Sequence, residues 1–600
     1  MKTIRNQLAN VHKNKLLFIG SFTNNTSPNT LSFYSSSSII THSPLKVKEE
    51  LSHVEQASLK ITNKDSLTNG DILLARALEH FRSIVGATNV ATDEESLSRE
   101  LADCSGNIRN VPAIVYPTSH DQVVQIVKIA NRYQVPLNPV SSGQNWGYGS
   151  ALPATNQRTV LLKMSKMTRL DMDEENGVAH VEPGVTQQQL LDYLQERNLD
   201  YTVPVTGAGP TCSLLSNALE RGYGISPYID HFGAATSMRI VLPTGNVHES
   251  MLDKMGGKHV STLYKWQTGP YLEGLFSQSN LGIVTKMSIA LYPKPEKVES
   301  FFFFFDDLSN AVSASKEILR CSNGIIGSVK LINNYAMVPM AGPYPKDQAV
   351  DGMLPQSYID SFCKKNQFTA WNGVGNLYGS SAVIKAARSD IKKILRRYGS
   401  KRNIFLSANF VHSTSSFLNQ IPIVNKTHLA TYANVLSKSL ELFSGIPNET
   451  GLRIAYWKSG ERPTDKPWNP SKDGAGIIWY NPLIPITPQD LNSFTSMVNE
   501  ICKKHKTEPL MTLTSLSDRC CVGTIPLLFD RNNEEEMKRA QVCYHELMNA
   551  GQKLGYVPYR LGIQSVNWLQ DNNAVPPLLQ TLKKTLDPNN ILSPGKYGIF

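Results

Sequence analysis

A chain of 600 residues is too long for a single hydrophobic core, so two or more domains are expected. At 41% hydrophobic and 18% charged it has the make-up of a globular protein, and no apolar run approaches the ~20 residues that span a bilayer. The formal charge of +10 argues little for nucleic acid: six cations (Lys2, Arg5, Lys13, Lys15, Lys46, Lys48) precede the first acid, Glu49, and no nucleic-acid motif follows.

In chain order, residues 1–72 read as a Ser-, Asn- and Thr-rich tail with the texture of disorder. LLFIG (16–20) is short for a signal-peptide core and no A-x-A site follows it. A cytoplasmic protein is expected. The alternative is an organelle address, because the tail is basic, Ser-rich and free of acids. Eight cysteines suit a reducing compartment and show no paired C-x-x-C spacing, so no metal is expected. The vicinal Cys520 and Cys521 could be redox-active, but two ordinary thiols are the expectation.

DILLARALEHFRSIVG (71–86) has a helical pattern, and PAIVYP (112–117) is a short apolar run. SHDQVVQIVKIANRYQ (119–134) reads as a helix capped by Ser119, with Val123, Val124, Val127 and Ala130 as its apolar stripe. The glycine loop SSGQNWGYGS (141–150) comes next. TVLLKM (159–164) and VAHVEPG (178–184) read as strands, and VTQQQLLDYLQERNL (185–199) as a helix. Strand, helix, strand and glycine loop is α/β grammar, and the loop sits where such folds bind phosphates through backbone N–H groups. It is neither a G-x-G-x-x-G fingerprint nor a Walker loop, and a tight surface turn is the bland alternative. After residue 296 the texture changes: VESFFFFFDD reads as a strand and LSNAVSASKEILRC (308–321) as a helix, within an α+β section that runs to about 555.

Five ordered blocks carry a resemblance. PTSHDQVVQIVKIANRYQVPLNPVSSGQNWGYGSA, VAHVEPGVTQQQLLDYL, NALERGYGISPYIDHFG, GPYLEGLFSQSNLGIVTKMSIALYPKP and LDPNNILSPGKYGIF resemble blocks of the vanillyl-alcohol oxidase and p-cresol methylhydroxylase family of FAD-linked oxidoreductases. The likeness spans roughly residues 75–600 and is patchy over 297–555. It implies an α+β fold: a two-subdomain FAD-binding domain (73–296), an α+β cap over the substrate (297–555), and a C-terminal segment (556–600) that returns to the FAD domain. It implies FAD contacts from Ser141, Ser142, Gly143, Gln144, Asn145, Trp146, Gly147 and Tyr148 in the loop. Further contacts fall to Glu182, Pro183, Gly184 and Val185, to Asn217, to Gly282, Ile283 and Val284, and to Arg560 and Lys596.

In the branch of the family that oxidises para-substituted phenols, two tyrosines and an arginine grip the phenolate oxygen. Tyr148 and the pair Tyr559–Arg560 in LGYVPYRLG match them. The chemistry is direct: a hydride leaves the para carbon of a phenolate for flavin N5 as the ring oxygen donates electrons, and charge-assisted hydrogen bonds stabilise the anion. Reoxidation by O2 or an electron-acceptor protein, and a homo-oligomer, belong to the same implication. Two departures stand out. Where relatives with covalent FAD place a His or Tyr, DGAGIIWYNPLIPI puts Gly476 or Ile477, with Tyr480 near, so non-covalent FAD is expected. Where the oxidase branch places an acid, VTGAGPTCS (205–213) has none. Asp230 and His231 keep the family's Asp-His pattern, either for function or as a structural cap. The alternative reading keeps FAD and takes a hydroxy acid, a sugar or a secondary-metabolite alcohol.

Overall fold

Thr68 caps the first helix, accepting from Asp71 N at 3.2 Å while the Asp71 carboxylate accepts from Thr68 N at 2.9 Å. The helix, Asn69–Val85, buries Leu74, Leu78, Phe81 and Val85 along one stripe. The computed structural model describes residues 68–600 except 225–226, 408–427, 461 and 465, and only the backbone of 428–435. Residues 1–67 of the expected tail lie outside the described residues. No helix among the described residues is long and apolar enough to cross a membrane.

Four strands, β1 (Val90–Ala91), β2 (Ile114–Val115), β3 (Leu137–Val140) and β4 (Val160–Lys163), form a sheet ordered β1-β2-β4-β3, with β4 parallel to both its neighbours. The helix His120–Tyr133 crosses between β2 and β3. Ser119 caps it as expected, but its fully buried stripe runs through Ile126 rather than Val124, which packs at the edge. The next strands are β5 (Leu170–Asp173), β6 (Val178–Val181), β7 (Tyr201–Thr202), β8 (Ala235–Val241), β9 (Val247–His248), β10 (Ile283–Ala290) and β11 (Tyr292–Pro293). Five of them make an antiparallel sheet ordered β5-β6-β10-β8-β9, and β7 pairs with β11 apart from it.

The largest sheet uses β12 (Lys297–Phe305), β13 (Ile326–Asn333), β14 (Trp371–Gly379), β15 (Asn403–Ser407), β16 (Ala475–Tyr480), β17 (Leu483–Pro485), β18 (Thr512–Ser515) and β19 (Cys520–Asp530). Its order is β15-β12-β14-β13-β18-β19-β16, with β17 also on β19. The phenylalanine run on β12 shows its logic. Phe301, Phe303 and Phe305 point into one core with the helix Leu308–Cys321, while Phe302 packs in a second cluster with Val374 and Ile477. The sheet thus has one face sealed by helices and one turned towards the rest of the chain. Cys520 and Cys521, adjacent on β19, are unbonded, as alternation along a strand requires of neighbours.

The C-terminal residues bond back to the first two sheets. Leu592 bridges Leu137 on β3, and Asn280 Nδ2 donates to the carbonyls of Ser593 and Ile599 at 3.0 Å. Lys583, fully buried, donates to Asp587 at 2.6 Å and to the Leu592 carbonyl at 2.8 Å, which pins the turn. The result is the mixed α+β architecture expected of the family.

Candidate active site

The glycine loop leaves β3 at Val140, beyond the carboxyl end of a strand parallel to its neighbour, where open α/β sheets leave room for ligands. At Gly147 the need for glycine is double: φ is 74°, and a Cβ would lie 2.5 Å from the Trp479 indole on β16. Loop and largest sheet therefore meet with no side chain from Gly147 between them. The N–H groups of Tyr148 and Ser150 both turn back to the Asn145 carbonyl, at 3.1 and 3.0 Å. Those of residues 142–146 find no acceptor among the described residues. A run of unpaired donors on a bent backbone is a ready anion seat.

The loop opens on a cavity of about 550 Å³. Ser141, Ser142, Gly143, Gln144, Asn145, Trp146 and Tyr148 line it, with Gly147 behind them under Trp479. Asn217, Gly282, Ile283 and Val284 contribute from the second sheet and its helix, and Lys596 from the C-terminal stretch. Glu182, Pro183, Gly184 and Val185 do not line it. The Glu182 carboxylate accepts from Arg169 N at 3.0 Å, Gly184 lies against the carbonyls of Ser165 and Met167, and Val185 is fully buried. Their turn instead supports the helix Leu214–Leu219 that carries Asn217: Ser213 Oγ donates to the Pro183 carbonyl at 2.7 Å and Leu214 N to the Val185 carbonyl at 3.1 Å.

Tyr148, Tyr559 and Arg560 meet in this same cavity. The Arg560 guanidinium lies 4.5 Å from the centre of the Tyr148 ring, and its Nη2 donates to Asn145 Oδ1 at 2.5 Å. Asn481, just past β16, donates through Nδ2 to Tyr148 Oη, which leaves the phenolic hydrogen free for another acceptor. Tyr559 is held through its backbone, accepting from Gln278 at 3.1 Å, and its ring meets Tyr223 edge-on at 5.4 Å. Burial pushes the Tyr148 and Tyr559 phenols above their ordinary values against the pull of Arg560, so both stay neutral donors at neutral pH. Burial opposes the charge on Arg560, but the acidic groups around it outweigh burial, and Glu220, the one that is ionised at neutral pH, keeps the guanidinium protonated there. Arg560 Nε has no partner among the described residues.

No acid of 205–213 lines the cavity, but one outside that stretch does. Glu220, at the end of the helix Leu214–Leu219, lines the cavity and accepts from Lys596 Nζ at 2.7 Å and from Tyr597 Oη at 2.6 Å. Burial would raise its pKa; Lys596, Arg560 and those hydrogen bonds bring it down to about 2. The available signal was that Glu220 is the sole acid between Asp200 and Asp230.

The Asp-His pair has local work. Asp230 accepts from Gly233 N at 2.8 Å, and His231 Nδ1 donates to Asn217 Oδ1 at 2.7 Å. Burial lowers the His231 pKa to about 4, so it is neutral, and it fixes the amide of a cavity-lining residue. On β16, Ile477 and Trp479 line the cavity while Gly476 and Tyr480 point the other way. Tyr480 is fully buried, edge-on to Tyr544 at 6.4 Å.

Comparison with known proteins gives a consistent set of likenesses. Residues 111–250 match the family model described as an FAD binding domain, and residues 470–597 the model of the FAD linked oxidases' C-terminal domain. The chain is 33% identical over 531 residues to the 1'-carboxy-chondrochloren decarboxylase of Chondromyces crocatus, covering 87% of this chain and 97% of that protein. It is 29% identical over 537 residues to the 4-cresol dehydrogenase [hydroxylating] flavoprotein subunit of Pseudomonas putida, covering 87% and 95%. The crystal structure of p-cresol methylhydroxylase with substrate bound superposes with a TM-score of 0.78 at 28% identity, covering 89% of this chain and 98% of that one.

Proposed function

Because the chain belongs to the p-cresol methylhydroxylase family of FAD-linked oxidoreductases, we propose that it takes a hydride from the carbon attached para to a phenol oxygen. FAD is its cofactor and supplies the electron sink when bound. The free N–H groups of 142–146 fit a diphosphate, and the apolar Ile283 and Val284 lining the same cavity fit a ring system.

The observation that carries the reading is the convergence of Tyr148, Tyr559 and Arg560 on one cavity. Two neutral phenol donors and a fixed cation stabilise a phenolate oxygen, with Asn481 and Asn145 holding the grip in place. Electron release from that oxygen then expels the hydride and leaves a quinone methide. Glu220 stays ionised throughout and anchors Lys596 and Tyr597 at the cavity wall. The named substrates of the relatives, a cresol and a carboxylated chondrochloren, differ, so the site's own groups guide the assignment.

Non-covalent FAD is part of the proposal, supported by the side chains that β16 turns to the cavity, Ile477 and Trp479. Reoxidation by O2 or by an electron-acceptor protein, and assembly into an oligomer, complete it; one relative is itself named as a subunit. The test is anaerobic mixing of the FAD-loaded protein with a para-alkylphenol and with its O-methyl ether. The phenol should bleach the flavin at least about 100-fold faster, the usual effect of an anion-stabilising site. Equal rates, or bleaching by an aliphatic hydroxy acid alone, would overturn the reading.

A further inference from the structure

Lys330 lies on β13, in the middle of the largest sheet. The ladders set Val374 on β14 and Thr514 on β18 directly opposite it. Residues opposite one another in antiparallel strands share a face, so the face of Lys330 also carries Val522 and, two residues along, Thr512 and Thr524. Continued across β19 to β16, the same face carries Trp479 and Ile477. Lys330, Thr512, Thr514, Val522 and Thr524 all line the cavity described above. Lys330 is the sole charged residue among these strand residues.

Its ammonium has no hydrogen-bond or ion-pair partner among the described residues. The other cations of the cavity are engaged: Lys596 by Glu220, and Arg560 by Asn145 and the Tyr148 ring. Burial alone depresses the Lys330 pKa, to about 8, with no acid acting on it. A half-buried cation facing a cavity without a counter-charge is costly unless something else completes it. The hydroxyls of Thr512 and Thr514 on the same face add neutral donors. One ammonium and neutral hydroxyls suit a single negative charge rather than a dianion.

We propose that Lys330, with Thr512 and Thr514, is the subsite for a carboxylate on the substrate, so that this enzyme takes phenols whose para substituent ends in an acid. The phenol half of that substrate rests on the reading above; the acid half rests on the largest sheet alone.

The test titrates the FAD-loaded protein with an arylalkyl carboxylic acid lacking the phenol hydroxyl, and with its primary amide, reading the perturbation of the flavin spectrum. The wild type should bind the acid at least about tenfold more tightly than the amide, as a charge-assisted hydrogen bond implies. Lys330→Met should bring that ratio to about one, and Lys330→Arg should restore part of it. The preference should fade as pH rises through about 8. No neighbour confuses that profile: Val374, Thr512, Thr514, Val522 and Thr524 do not titrate. Across the cavity the Cys212, Tyr148, Tyr223, Tyr559, Tyr597 and Arg560 values are all raised and Glu220 titrates near 2. Equal binding of acid and amide by the wild type, or loss of both to the same degree in Lys330→Met, overturns the proposal. So does a Lys330→Met protein that no longer holds FAD, since the lysine would then serve the cofactor. If no phenol reduces the flavin while acids keep a Lys330-dependent preference, the phenol reading fails and the carboxylate subsite at Lys330 stands.

Discussion

Glu220 and Lys330 are charged groups in one cavity with opposite consequences for stability. The Glu220 carboxyl titrates at about 2 in the folded chain against an ordinary 4.5. Its contribution is therefore whole above about pH 4.5 and is lost as pH falls through 2, an effect of about 3 kcal/mol by linkage. Glu220→Gln should be less stable at pH 7 and flatter between pH 5 and 2, as denaturant titrations at several pH values would show. Lys330 runs the other way. Its folded pKa near 8 lies below the ordinary 10.5, so the unfolded chain binds the proton more tightly. The penalty is full below about pH 8 and disappears as pH rises past 10.5. Lys330→Met should thus raise the melting temperature at pH 7, by an amount that narrows towards pH 10.

At the scale of elements, the glycine loop and β16 act as a pair. Gly147→Ala places a methyl group in a left-handed backbone and against the Trp479 ring, so the loop must shift away from the cavity. The variant should be purified with at most about a tenth of the wild-type FAD content, measured as flavin absorbance per protein. Strand β16 makes a separate statement. With Ile477 and Trp479 as its cavity-facing side chains, acid precipitation of the holoprotein should leave the yellow colour in the supernatant. Colour in the pellet would mean a covalent link from another element.

Across the whole molecule, what sequence reading recovered was local. Ser119 caps a helix whose apolar spacing is plain, and the helix Leu308–Cys321 falls on its expected bounds. The loop residues and the Tyr559–Arg560 pair, which line one cavity, sit in short contiguous motifs. What stayed hidden depends on pairing at long range. Lys330 reaches the cavity only because β13 lies between β14 and β18, and no pattern around residue 330 announces Thr514 as its neighbour. Glu220 gains its place in the cavity from Lys596 and Tyr597, which come back to it from the chain's far end. The turn at 182–185 does not line the cavity, and its carbonyls are taken by the start of the helix Leu214–Leu219.

The grip on a phenolate oxygen is the claim on which substrate, mechanism and pH behaviour all turn, and Tyr148→Phe addresses it with one atom. The rate of anaerobic flavin reduction by a para-alkylphenol should fall by about 100-fold in this variant, with FAD content and fold unchanged. Reduction at the wild-type rate would mean that Tyr148 does not hold the substrate oxygen, and the assignment of the site would be wrong.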